Sequence, residues 1–151
     1  MDEAQVTGMK IAALVAVTVL YGLLFHGFMR LSLMVFGPFQ LDAAAAILWR
    51  QIAYVALSAL SAAAISSAIW IWRAKTVRAV QAWGVGCLTI LLILVNLLIS
   101  RGPDGLVAAV GAKPFHGALT YLIVFVAVPF CVHVQLHLRR RSATRIPSDA
   151  R

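Results

Sequence analysis

Four apolar stretches divide this chain, roughly Ile11 to Met29, Ile52 to Trp72, Val80 to Ile99 and Phe115 to Leu138. Each is close to the ~20 residues that a helix rising 1.5 Å per residue needs to cross ~30 Å of hydrocarbon. They predict an all-α protein, an integral membrane bundle of four transmembrane helices forming a single membrane domain over residues 1–151. Hydrophobic residues make up 62% of the chain and charged residues 12%, a balance that would leave large exposed apolar patches on a soluble domain of this size. The net charge of +8 does not point to nucleic acid, because the aqueous segments are only short loops and a tail, with no folded basic surface.

The positive charge orients the bundle instead. With both termini on one side, that side holds Lys10, Arg73, Lys75, Arg78, Arg139, Arg140, Arg141, Arg145 and Arg151, and the other only Arg30, Arg50, Arg101 and Lys113. The positive-inside rule then predicts cytoplasmic termini, and the expected location is a bacterial inner membrane. Asp2 and Glu3 precede Lys10, the first apolar run is longer than the core of a signal peptide, and no small-residue cleavage site follows. The first run is therefore expected to remain as a transmembrane helix.

Punctuation residues predict helices over about 11–36, 43–72, 80–99 and 115–138. Gly37-Pro38 ends the first, and Asp42 before four alanines is an expected N-cap for the second. Gly102-Pro103-Asp104-Gly105 forms a turn, after which Leu106, Val107 and Val110 predict a short helix on the outer membrane surface. Residues 142–151 are expected to be a flexible basic tail, in contact with anionic lipids at the cytoplasmic face. Trp49, Trp70, Trp72 and Trp83 fall near the proposed interfaces and are expected as anchors.

Small residues set the expected packing. Ser58, Ala59, Ser61, Ala62, Ala63, Ser66 and Ser67 on the second helix, with Gly84 and Gly86 on the third, let backbones approach. Pro129 removes one backbone hydrogen bond from the fourth helix, with a kink expected near Phe125. Asn96 is expected to bond across to a neighbouring helix. Cys87 and Cys131 fall at similar depth and are expected to be packing thiols, since no C-x-x-C spacing exists.

Chemistry, if present, points to the outer end. His26 lies about 24 Å along its helix from Lys10, Arg30 follows at i+4 on the same face, and His116 opens the fourth helix. With Arg50, these four are the candidate cofactor-binding residues: His26 and His116 would be axial ligands of one b-type haem, or a base and partner for a quinone, with Asp42 as a possible acidic group. Small four-helix b-type cytochromes have a similar size and a histidine in the first helix, but carry a second histidine pair that this chain does not reproduce at matching depth. No family assignment follows. His133 and His137, at i and i+4, have the spacing of a helical metal pair, although no Glu, Asp or Cys follows to complete it and Arg139 to Arg141 oppose a cation. Helices two to four contain no intramembrane Asp, Glu or Lys for ion-coupled transport.

The leading expectation is a noncatalytic subunit or assembly factor of a larger membrane complex, with other membrane subunits or copies of itself as partners. The alternative is a redox protein binding one haem or quinol at the outer face, and a small transporter or metal-handling protein stands third.

Overall fold

The computed structural model describes residues 3–37, 45–74, 77–111 and 114–143. They form α1 (Glu3–Phe36), α2 (Ala45–Arg73), α3 (Ala79–Gly111) and α4 (Pro114–Ala143). Each contains a stretch long and apolar enough to cross a membrane: Lys10–Phe36, Ala46–Arg73, Ala79–Asp104 and Phe115–Ser142. Every regular element among the described residues is an α-helix, as the apolar runs predict.

Local chemistry explains where the helices stop. Gly37 adopts φ 87° and donates its N–H to Leu33 O at 2.9 Å, the left-handed cap for which a glycine costs least. At the start of α3, the Arg78 N–H donates to Gln81 Oε1 at 3.0 Å, one half of a capping box. Helix α3 runs further than its apolar stretch predicts. It breaks at Gly102 (φ 69°, ψ 179°) and resumes at Pro103, so the stretch expected to form a short separate helix is its second helical segment, reached through one glycine. Proline suits the first position of a helix because its missing N–H has no partner there anyway. Helix α4 continues through Ser142 and Ala143, where the tail was expected to begin; the proposed cap Asp42 and residues 144–151 lie outside the described residues.

The helices alternate in direction. Phe36, Arg73, Gly111 and Ala143 close them in turn, so the ends at Arg73, Ala79 and Ala143 form a terminal end and those at Phe36, Ala45, Gly111 and Pro114 a distal end. Neighbour order is less simple than chain order. Helix α2 packs on α1 and α4, and α3 packs on α4 and more lightly on α1, while among the described residues no Cα of α1 lies within 8 Å of α4, nor any of α2 within 8 Å of α3. The diagonal pairs are therefore α1/α4 and α2/α3. Tyr21 bridges the first diagonal through the centre of the bundle, fully buried and donating its hydroxyl to Val124 O at 3.0 Å.

The small residues of α2 fill the centre. Ser58, Ala59, Ala62, Ala63, Ser66 and Ser67 are all buried. Ser66 and Ser67 donate back to Ala63 O, which satisfies each hydroxyl inside its own helix. Where helices meet, Ser32 Oγ lies 3.3 Å from Ser58 Oγ across α1 and α2. Helix α4 is tied to α2 along one stripe: Cys131 Sγ approaches Leu60 O at 3.8 Å, Gln135 Nε2 donates to Ala64 O at 2.9 Å, and Arg139 donates to Ile71 O at 3.2 Å. The last bond places a cation on the orphan carbonyls and negative dipole end of α2.

Two expectations about side chains are corrected. Trp70 is 6% exposed, whereas Trp72 is 77% exposed. Trp70 follows Ser66 by one turn on the buried stripe, so it packs within the bundle and is not an anchor. Asn96 is exposed, because the distal half of α3 stands clear of its neighbours, with Leu91, Leu92, Val95, Leu98 and Ile99 exposed beside it. Cys87 and Cys131 are both free, the first exposed and the second buried against α2.

Candidate functional site

His116 occupies the first turn of α4, just after Pro114. Its ring meets Trp49 of α2 edge to face at 5.4 Å and Phe115 at 5.6 Å, and Trp49 and Phe115 are themselves 6.3 Å apart at 70°. Each ring thus presents an edge to another's face, the arrangement that aromatic quadrupoles favour. This cluster fixes the imidazole between α4 and α2 at the distal end. The backbone O of His116 accepts from Thr120 Oγ1 at 2.8 Å, a bond that tightens the first turn.

His116 Nε2 is buried and finds no hydrogen-bond partner among the described residues. The same holds for Gln51 Nε2, two residues beyond Trp49 on α2, whose side chain is 9% exposed. Buried nitrogens without partners are uncommon, and each calls for a group that completes it. Gln51 was not among the residues singled out from the sequence. Its signal was present: it is the lone amide beside the buried stripe formed by Leu48, Ile52 and Val55.

The other candidates lie elsewhere. His26 and Arg30 are exposed on α1, flanked by Leu23 and Met34, which are also exposed. This face looks away from Tyr21, Phe25 and Phe28, the side by which α1 joins the core. Arg50 is exposed on α2 next to Gln51. The four residues expected to share a site are thus divided. His116 is joined to α2 beside Arg50, and His26 with Arg30 faces outward on the diagonally opposite helix. The structure does not bring the two imidazoles together.

At the terminal end, His133 and His137 are exposed on one stripe of α4. Among the described residues no group of three His, Cys, Asp or Glu side chains comes together. His133 instead lines a groove of about 290 Å³ between α3 and α4, with Trp83, Pro129 and Phe130. On the same pair of helices Gly86 lies against Phe125: a Cβ there would fall 2.5 Å from Phe125 O. That carbonyl is the one Pro129 deprives of its helical N–H donor, four residues on. The glycine of α3 therefore fits against the carbonyl that the proline of α4 leaves open, and its Cα–H is the group placed to meet it. No family model, curated protein or solved structure matches the chain.

Proposed function

We propose that the chain is an integral protein of a bacterial inner membrane, with both termini cytoplasmic, and that it serves as a noncatalytic subunit or assembly factor of a larger membrane complex. The charge distribution supports the orientation: the terminal end carries Lys10, Arg73, Arg78 and the Arg139 to Arg141 run.

The observation that carries the complex is the outward face of α1. His26 lies about 24 Å from Lys10, inside ~30 Å of hydrocarbon, and it is exposed there with Arg30 one turn on. An imidazole facing lipid has no hydrogen-bond partner, and polar groups at that depth are costly unless they face protein or water. Within the α1 span Lys10–Phe36 only Val17, Thr18 and Tyr21 are buried within the chain. A second membrane protein covering this face would both bury α1 and supply acceptors for His26 and Arg30.

Native electrophoresis of gently solubilised membranes tests the reading. The wild type is expected to migrate far above its 16.3 kDa mass after allowance for detergent, and mass spectrometry of the band identifies partner subunits or further copies of the chain. The substitution His26→Leu separates the cases. On a lipid-facing surface it is neutral or stabilising, whereas on a protein-facing surface it releases the monomer. A wild type that migrates as a monomer defeats the proposal.

A second reading has its own support in the Nε2 of His116, buried in its aromatic cluster with no partner among the described residues. A haem or a quinone oxygen at the distal end would complete that nitrogen. A visible spectrum of the purified protein with a Soret band, lost on His116→Ala, favours this redox role over a noncatalytic one.

A further inference from the structure

We infer that the groove between α3 and α4 at the terminal end is a binding site for an anionic phospholipid, with one acyl chain between the helices and the phosphate held by His133, Arg78 and Arg140. This rests on the reading that the chain is inserted in a membrane, but not on its membership of a complex.

The groove has two kinds of wall. Ala82, Trp83, Pro129, Phe130 and Leu136 make it apolar along its length, and His133 is the one titratable side chain in its lining. Its volume of about 290 Å³ sits at the small end of ligand pockets, and its apolar walls suit part of a hydrocarbon chain. Small side chains on α3 open it, since Ala79 and Ala82 face the bulkier α4 residues.

Charge selects the headgroup. Arg78 is exposed and immediately precedes Ala79 in the lining. On α4, His137 and Arg140 follow His133 at i+4 and i+7, which keeps all three on one stripe leading from the groove to the helix end. Arg140 is about 10 Å beyond His133 along the axis, and a long arginine stem lies along apolar surface while its guanidinium reaches polar groups. The guanidinium fork also matches phosphate oxygens. Neither α3 before Asp104 nor any part of α4 contains an Asp or Glu, so nothing in the walls of this groove would pair with the ammonium of a zwitterionic headgroup. The site therefore favours a phosphate that carries net negative charge, such as that of phosphatidylglycerol.

Brominated acyl chains quench nearby tryptophan, and Trp83 in the groove wall is the reporter. The full-length protein is reconstituted in vesicles of phosphatidylcholine with increasing brominated phosphatidylglycerol, or with brominated phosphatidylcholine in its place. The Trp83 signal is the difference between wild type and Trp83→Phe, and the Trp72 signal, from Trp72→Phe, monitors insertion because Trp72 is exposed on α2. Trp83 is expected to be quenched at lower mole fractions of phosphatidylglycerol than of phosphatidylcholine, with Trp72 quenched equally by both. Relative affinity for the anionic lipid should fall by about fivefold for each of Arg78→Gln and Arg140→Gln, and Arg140→Lys should restore most of the loss. Both arginines are exposed, and an unchanged Trp72 signal checks that each variant still folds and inserts. Equal quenching of Trp83 by the two lipids, with Trp72 quenched, overturns the site while leaving insertion intact. Absence of quenching at both tryptophans overturns insertion and the site together.

Discussion

Among the described helical glycines, Gly86 is the one where an added methyl group meets backbone. An added Cβ meets Phe125 O at 2.5 Å, a backbone atom that no rotamer change can move, whereas at Gly84 it meets the flexible end of Leu14 at 3.2 Å. Gly86→Ala is therefore expected to destabilise the fold by about 1–3 kcal/mol, the range for overpacking, and Gly84→Ala by much less. Unfolding in mixed micelles, followed by tryptophan fluorescence, ranks the two. Gly27 completes the comparison, since nothing lies within 4 Å of a Cβ there. Gly27→Leu should leave monomer stability unchanged, yet weaken any association through the face of α1 that carries His26. Tyr21 is a different kind of residue, bridging the diagonal with a single hydroxyl. Tyr21→Phe keeps the ring packing and removes the bond to Val124 O, with an expected cost of about 0.5–1.5 kcal/mol by the same measurement.

Among the elements, α2 and α4 form the most closely joined pair, and the join has a direction. Cys131, Gln135 and Arg139 descend α4 in steps of four while their acceptors Leu60, Ala64 and Ile71 descend α2, so the two helices run parallel. Removing one bond of the series should loosen the pair near it and spare the remainder. Gln135→Ala is expected to lower stability by about 0.5–1.5 kcal/mol and to speed amide hydrogen exchange in α2 around Ala64 more than at Ser58. Much of this element-level structure was legible in the sequence: the four spans, the small-residue stripe of α2, the glycines of α3 and the role of Gly37 as a stop. Which helix neighbours which was not. A helix that is apolar all round presents no stripe to say which face turns inward, and packing between such helices depends on close approach more than on hydrophobicity. For the same reason Trp70 and Trp72 read alike in sequence, although they point into and out of the bundle. The candidate site was legible only in part. His116 stood out by type, but its aromatic partner Trp49 comes from another helix, and no spacing along the chain could pair them or separate His26 from them.

At the scale of the whole molecule, the charge asymmetry makes a statement about topology that does not depend on any partner or ligand. Ser100 and Ser142 are both exposed, the first near the distal end of α3 and the second near the terminal end of α4. On the proposed orientation, a bilayer separates them, with Ser142 on the side of Arg139 to Arg141. In a background with Cys87 and Cys131 replaced by serine, Ser100→Cys should react with a membrane-impermeant maleimide in intact spheroplasts, and Ser142→Cys only after permeabilisation. The reverse pattern would invert the molecule and contradict the positive-inside assignment. The asymmetry also predicts how to weaken that orientation. The excess of basic residues beside the spans at the terminal end rests largely on Arg73, Arg78 and the arginine run after Leu138, and basic residues act on topology chiefly when they lie close to a span. Replacing Arg73, Arg78 and Arg139 to Arg141 with glutamine while adding two lysines beside Ser100 should therefore yield a mixed population. Both cysteines would then label partially in intact cells. A population that kept a single orientation would mean that contacts within the bundle, or with a partner during insertion, outweigh the charge rule in this chain.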